Sequence, residues 1–304
     1  MRIHQTAAFM FALLLLFLTQ PVNAQQTPVQ ADSPNSQESQ ESASRPRKRI
    51  FQLTRLDYAA GMMGRAYPPG AMFYGTLGHS WRLWGHDPVP SLPRIGPGPS
   101  EIDGSPLWHY GYVRALLNVQ TAFVMNRVTA ELEVFPVSIL GFAVGQGVHQ
   151  TPAMSQQFDC KLDSACKGVL DRTSIRAQAL VGYQKFFGLL VARKEWIRQN
   201  ASAKPFTDEG LGIRGAPGRD QFVSMNGAFG YQLDSKWVTG IQFMKARSVI
   251  LSEDSLTSLF FVTRFSGVTS YTVAAGTFRS DHVKLSPTVA FQIHINKARA
   301  ISLF

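Results

Sequence analysis

Hydrophobic and polar residues alternate along several stretches of the chain, most regularly in SPTVAFQIHI near its end. There Val289, Phe291 and Ile293 share one parity, and Gln292 and His294 share the other. A period of two predicts a β-strand with one apolar face and one polar face. A soluble sandwich would bury the apolar face in its core, whereas a membrane barrel would turn it to lipid and its polar face to the lumen.

Twelve strand-like stretches recur along the chain. Several exceed the usual globular strand of roughly five to six residues, and they suit tilted membrane crossings of about 9 to 11 residues. We therefore expect an all-β fold, a single closed antiparallel transmembrane β-barrel of about 12 strands, with 14 possible. The predicted strands are residues 50–64, 71–84, 107–124, 127–135, 137–149, 172–183, 185–197, 219–232, 236–247, 256–265, 269–279 and 284–296.

The connections between these stretches differ in length. Two are long and polar, 150–171 and 198–218. Short turns on the periplasmic side and long loops outside are typical of outer-membrane barrels, so both long connections are expected to be external. The Pro- and Gly-rich residues 85–106 would then be periplasmic, either as an exception or because they hide a strand. The short connections assigned to the periplasmic side are Pro136 and residues 183–187, 233–236 and 265–269.

The N-terminal part of the chain predicts export. Residues 1–24 combine Arg2, an apolar run and a small-residue cleavage pattern ending at Ala24, as in a secretory signal peptide. Residues 25–49 are rich in Gln, Ser, Pro and Glu. They have too little apolar surface to offset the conformational entropy lost on folding, so we expect a disordered tail. The barrel domain is then residues 50–304.

Aromatic residues gather near the ends of the predicted strands. Trp and Tyr prefer the membrane interface, where one part of the ring is dry and another is hydrated. Core packing is the alternative for each of them. The aromatic residues assigned to this belt are Tyr74, Trp81, Trp84, Trp108, Tyr110, Tyr112, Trp196 and Trp237.

Together with the C-terminal Phe304, these features resemble a Gram-negative outer-membrane β-barrel of the porin-like kind. The resemblance implies an outer-membrane location, contact with membrane lipid and lipopolysaccharide, and insertion by the barrel-assembly machinery, which reads a terminal aromatic residue. Ser302 and Ala300 occupy positions that are apolar in that signal. The oligomeric state stays open.

The chain carries a formal net charge of +10. A basic exported domain suggests anionic lipid or an anion path, and nucleic acid is the weakest choice because no basic cluster with interleaved aromatics occurs. Cys160 and Cys166 are the only cysteines. In an exported protein, such a close pair predicts a disulfide that holds a loop.

Charged and amide side chains on the polar parity are expected to face the lumen. Glu131 and Glu133 could act as an acid–base pair, but ion pairing with Arg114 and Arg176 on neighbouring strands is favoured, because charged lumen networks suit this architecture. The full set of lumen candidates is Arg114, Glu131, Glu133, Arg176, Gln178, Gln292 and His294.

The sequence offers no convincing catalytic, cofactor or metal motif. In Gly78-His79-Ser80-Trp81-Arg82, the second glycine of a nucleophile elbow is missing, and adjacent His79 and Ser80 point to opposite faces of a strand. The favoured function is a transport channel or an envelope-structural barrel. A surface adhesin or receptor acting through the long loops is an alternative, and a barrel-embedded lipid-modifying enzyme and a soluble secreted sandwich are weaker ones.

Overall fold

The computed structural model describes most of the predicted barrel domain. The predicted signal peptide, the tail and Phe304 lie outside the described residues. The described residues contain no helix that is long and apolar enough to cross a membrane. The described residues are Phe158 and the segments 52–66, 70–84, 111–122, 125–137, 139–151, 166–183, 185–200, 204–266 and 269–296.

Twelve antiparallel strands form one closed barrel. Each pairs with the strands on either side of it, Arg219–Gln232 pairs with Phe186–Gln199, and Gln52–Arg65 pairs with Ser286–Asn296 to close the sheet. The predicted count of 12 is confirmed. The barrel strands are β1 (Gln52–Arg65), β2 (Gly70–Trp84), β3 (Gly111–Ala122), β4 (Met125–Val137), β5 (Leu140–Thr151), β6 (Gly168–Tyr183), β7 (Phe186–Gln199), β10 (Arg219–Gln232), β11 (Trp237–Ser248), β12 (Asp254–Ser266), β13 (Thr269–Ser280) and β14 (Ser286–Asn296).

The apolar parity faces outward. In β14 the side chains of Val289 and Phe291 are about half exposed, whereas Thr288, which lies on the opposite parity of the same strand, is only 2% exposed. The same holds around the barrel, where outward residues such as Val144 and Val273 are large, apolar and exposed. A closed sheet satisfies its own backbone groups and presents this apolar surface to acyl chains, so the sandwich alternative is wrong.

The two ends of the barrel differ. At one end the strands are joined by the connections that follow β4, β6, β10 and β12, which we call the turn rim. The opposite end, the loop rim, carries the long connections after β5 and β7. The turn predicted at Pro136 lies slightly later, because Pro136 is the penultimate residue of β4. The register shifts there between Val134 and Val137, as expected where proline cannot donate to the ladder.

The predicted aromatic belt is only partly correct. Trp84, Trp196 and Trp237 are exposed on the outside near strand ends. Tyr74 and Tyr112 instead point into the barrel, because they share the inward parity of their strands; Tyr112 is buried and stacks on an inward phenylalanine. Trp81 packs against His79. Trp108 and Tyr110 lie outside the described residues.

Candidate functional site: the barrel lumen and its inserted hairpin

The inner wall of the barrel is strongly asymmetric. Strands β3, β4, β6 and β7 turn arginine and carboxylate side chains inward. The inward positions described on β10 to β14 are mainly small, hydroxyl, amide and apolar residues. The charged wall and the hairpin above it form the candidate site.

The part of the charged wall nearer the turn rim links β3, β4 and β6. Glu133 accepts two contacts from the guanidinium of Arg114, at 2.7 Å from Nε and 2.5 Å from Nη2. Arg176 bridges the two carboxylates of β4, with Nη2 3.0 Å from Glu131 Oε2 and also paired with Glu133. The two glutamates thus lie among arginines, in the arrangement that the sequence favoured.

The part nearer the loop rim continues the network through β7. Arg193 reaches Glu131 and Glu195, each at 3.2 Å. Glu195 also pairs with Arg127 of β4 and with Arg172 of β6, the latter at 3.0 Å. Because each carboxylate meets more than one guanidinium, the network alternates in charge from β3 to the mouth of the barrel.

The carboxylates of this network are more deeply buried than several of the arginines. The side chains of Glu131, Glu133 and Glu195 are only 2–5% exposed, whereas Arg176 and Arg193 are 19% and 20% exposed. A buried carboxylate is tolerated only when it is paired and hydrogen-bonded. The arrangement therefore hides negative charge and leaves guanidinium edges accessible inside the barrel.

The long connection after β7, predicted to be external, lies at the loop rim and folds back towards the barrel. It contains a two-stranded hairpin of β8 (Phe206–Asp208) and β9 (Ile213–Gly215). Phe206 and Ile213 are almost completely buried. They pack against apolar side chains of the barrel wall at the loop rim, so the hairpin is inserted into the mouth. The wall residues of this cluster are Leu170, Ile197, Phe222 and Ala246.

Asp208 joins the hairpin to the charged wall. Its Oδ2 accepts a hydrogen bond from Arg172 Nη2 at 2.5 Å, and its Oδ1 accepts one from the backbone N–H of Leu211 at 3.0 Å. Gly212 closes the turn with a φ of 70°, a conformation that glycine adopts without strain. Burial alone raises the pKa of the Asp208 carboxyl, but the charge of Arg172 outweighs it, so the pKa lies below its usual range.

The hairpin is also held on its other side. Glu253, in the connection between β11 and β12, accepts hydrogen bonds from the backbone N–H and the Nε of Arg214, at 2.7 and 2.8 Å. His282 Nε2 lies 2.7 Å from the same carboxylate. The charge of Glu209 acts electrostatically on Arg65 of β1. Contacts therefore extend from the hairpin to several sides of the mouth.

A neutral polar cluster continues the inner wall beyond the charged strands, on β14, β2 and the loop-rim half of β3. Tyr74 Oη lies 2.7 Å from His294 Nδ1 and accepts a hydrogen bond from Gln292 Nε2, also at 2.7 Å. Beside them, Thr76 donates to Asn118 Oδ1 at 2.5 Å. These side chains are only half-buried, so the lumen is lined by uncharged polar groups as well as by arginines.

The structure places all seven predicted lumen residues on the inner side. Gln178 lies on the inward parity of β6, next to Arg176 in that row. Sequence reasoning missed four charged residues of the wall and Asp208. The missed wall residues are Arg127, Arg172, Arg193 and Glu195. Arg127 and Arg172 could have been found, because each shares the inward parity of a charged residue already chosen on its strand. Arg193 and Glu195 lie on β7, where both parities mix apolar and charged residues, so alternation does not identify them.

Other sequence features do not join this site. Ser80 is buried in the barrel interior, while His79 packs with Trp81. Among the described residues, no group of three or more His, Cys, Asp and Glu side chains could hold a metal ion. Cys166 is buried, and Cys160 lies outside the described residues, so the disulfide stays a prediction.

Comparisons with solved structures return other bacterial barrels at low identity. The chain is similar to an outer membrane channel from Pseudomonas putida F1, with 7% identity, a TM-score of 0.43 and coverage of 82% of this chain and 98% of that chain. It is similar to the KdgM porin, with 9% identity, a TM-score of 0.39 and coverage of 79% and 98%. For the β domain of the Bordetella autotransporter BrkA the values are 8%, 0.37, 79% and 97%. No protein-family model and no curated protein matches the sequence.

The class of protein follows from the structure itself. A closed 12-stranded antiparallel barrel with an apolar exterior and a charged interior is a transmembrane barrel of the bacterial outer membrane. Its porin-like architecture agrees with the resemblance drawn from the sequence.

Proposed function

We propose that this outer-membrane barrel is a narrow channel that prefers anions and is partly closed by the inserted hairpin. The carrying observation is the difference in exposure within the charged wall. Arg176 and Arg193 keep about a fifth of their side-chain surface accessible, while the carboxylates that they neutralise are almost fully buried. A solute in the lumen would therefore meet guanidinium groups first.

The neutral polar cluster supports the same conclusion. A passing anion would meet the arginines and also the uncharged polar groups of Tyr74, Gln292 and Asn118, which can donate hydrogen bonds. Rings of Arg or Lys are used for selection in anion pores. A guanidinium also binds carboxylate and phosphate in a two-pronged geometry, so small carboxylated or phosphorylated solutes fit this path.

The test is a planar-bilayer recording of the purified chain under a KCl gradient. We expect small currents whose reversal potential shows preference for Cl⁻. The double substitution Arg176→Gln and Arg193→Gln should lower this preference several-fold, because it removes the two accessible guanidinium charges and leaves Glu131 without either of its arginine partners. The matched variant Arg176→Lys with Arg193→Lys keeps both charges and should retain anion preference. Cation preference in the unmodified protein would refute the proposal.

An envelope-structural barrel without conductance is the second candidate, and one observation favours it. On the turn-rim side of the lumen, Phe187, Val238 and Phe261 form a buried apolar cluster with two alanines, which we call the floor cluster. With the hairpin above and the floor cluster below, side chains could close the lumen of a barrel this small.

Removal of the hairpin separates the two candidates. In a variant whose residues 206–215 are replaced by a short Gly-Ser linker, a channel should show larger single-channel currents, because the mouth is cleared. If neither the complete chain nor this variant conducts, the structural role is correct. The adhesin alternative is less well supported, because the described part of the second long loop is directed into the mouth.

A further inference from the structure

A groove on the outer surface of the barrel, near the turn rim, is lined almost entirely by apolar atoms. It runs across β6, β7, β10, β11 and β12 and has a volume of about 500 Å³, within the range of roughly 300 to 1,000 Å³ that is usual for ligand sites. Phe186, Phe229 and Ile241 are exposed along it, at 58%, 53% and 56%. Gly188 and Thr239 stand on the outward parity between these larger residues and also line the groove.

Cations surround the end of this groove that faces the turn rim. Lys185 precedes the groove residue Phe186, and its Nζ lies 5.9 Å from the centre of the Tyr231 ring, which also lines the groove. On the next pair of strands, the Arg264 guanidinium lies 5.7 Å from the centre of the Trp237 ring.

Lys236 is exposed in the turn before β11. In the order of the strands around the barrel, this turn lies between Lys185, which precedes β7, and Arg264 of β12. The acidic neighbour of the three cations is Asp234. Its Oδ1 accepts hydrogen bonds from the backbone N–H groups of Lys236 and Trp237, at 2.7 and 2.9 Å, which form the turn. The surface at this end of the groove is therefore positively charged.

We propose that this groove and its cations form a binding site for an anionic phospholipid. An acyl chain would occupy the apolar groove, and the phosphate-bearing headgroup would lie at the level of Lys185, Lys236 and Arg264. Tyr and Trp side chains belong at that level of the membrane, and basic residues there recognise anionic headgroups. Short turns face the periplasm in barrels of this class, so the site opens to the phospholipid leaflet.

A second copy of this chain is a poorer occupant of the same surface. A two-fold axis along the membrane normal would keep both copies at the same depth. The cations of one copy would then face the identical cations of the other, which opposes association. An anionic lipid instead complements both the charge and the apolar lining.

Native mass spectrometry of the detergent-solubilised full chain tests the site. The probes are dipalmitoyl phosphatidylglycerol and dipalmitoyl phosphatidylcholine, which differ in headgroup charge and not in acyl chains. We expect tighter retention of phosphatidylglycerol. The triple substitution Lys185→Ala, Lys236→Ala and Arg264→Ala should weaken that retention on the order of 100-fold, from the contributions of three cations near a headgroup.

A matched variant removes three exposed cations towards the other end of the barrel, and it should retain phosphatidylglycerol like the unmodified chain. For the groove, Val181→Trp should reduce retention of both lipids, whereas Val169→Trp, outward-facing near the loop rim of the same strand, should not. The three substitutions of the matched variant are Lys167→Ala, Lys245→Ala and Lys284→Ala.

Equal retention of the two lipids would overturn the proposal. Equal effects of the two triple variants would also overturn it. Dimers that disappear in Val181→Trp would assign the groove to a second copy instead. None of these outcomes depends on conductance, so the experiment tests the lipid site independently of the proposed channel.

Discussion

At the scale of single residues, Asp208 has the most demanding position in the molecule. Its carboxylate is buried, pairs with Arg172 and also accepts a hydrogen bond from the turn of its own hairpin. The charge of Arg127 acts on it as well. Breaking a buried ion pair by neutralising one partner commonly costs about 3–5 kcal/mol, so the docking of the hairpin depends on the charge of this one side chain.

Acidification should release the hairpin. Because the pKa of Asp208 is lowered in the folded protein, its stabilising effect is complete above the ordinary aspartate pKa of about 3.9 and is lost as pH falls through the lower folded value. We expect pepsin to spare the hairpin at about pH 4.5 and to cleave it at lower pH. Asp208→Asn should be cleaved at both pH values.

Equal protection of the Asp208→Asn variant and the unmodified chain at the higher pH would contradict this account. Cleavage inside the barrel strands serves as the control for global unfolding, since it should stay absent in both proteins under those conditions.

At the scale of elements, the inserted hairpin is a short sheet whose stability comes from the barrel wall. Two-stranded hairpins are only marginally stable alone, and this one has three residues in each strand. Its apolar residues bury themselves against four different barrel strands. The ring of Phe206 also lies over Gly215, where a Cβ atom would meet the ring at 2.1 Å, so the close packing requires glycine there.

Truncation of Ile213 should undock the hairpin and leave the barrel intact. Ile213→Ala removes a side chain with no exposed surface, and such changes cost about 2–5 kcal/mol. We expect faster hydrogen exchange of the backbone amides in residues 206–215, measured by mass spectrometry, with unchanged exchange in the barrel strands.

The matched control is Ile250→Ala in the neighbouring connection, where the isoleucine is 54% exposed. Its effect should stay within about 0.5 kcal/mol, as for most surface substitutions. If both variants exchange alike, the hairpin is not held by its apolar side chains.

At the scale of the whole molecule, the barrel is stable because its outside is apolar and its inside is polar. A charged residue placed on the apolar outer face should therefore destabilise the barrel. Val144 lies near the middle of β5 and is 55% exposed on the outer face. Val144→Arg should destabilise the barrel by about 2–4 kcal/mol, the cost of arginine on the lipid face at mid-membrane.

Urea unfolding of the barrel in lipid vesicles measures this cost. Val249→Arg, in the connection between β11 and β12, is the control, because Val249 is also exposed but lies beyond the strands. It should change the unfolding free energy by less than about 1 kcal/mol, as near the interface. Similar destabilisation by both arginines would mean that the outer face does not contact acyl chains.

Much of this architecture could be predicted from local patterns. Strand number, the lipid-facing parity and the inward direction of Glu131, Glu133 and Arg176 follow from alternation, because side-chain direction along a strand is a local property. The same parity would have indicated Arg127 and Arg172. The inward course of Tyr74 could also have been derived from it, but its tyrosine identity suggested the membrane interface instead.

The alternation of consecutive segments determined the strands and the two surfaces of the barrel, since each strand carries its own period of two. Three other features depended on contacts between distant parts of the chain. Only closure of the sheet decided that Arg193 meets Glu131, 62 residues away, that the polar loop after β7 turns inward onto Arg172, and that the cations of separate turns gather beside one groove. These depend on which strands become neighbours and on the space left between them, and no local pattern contains that information.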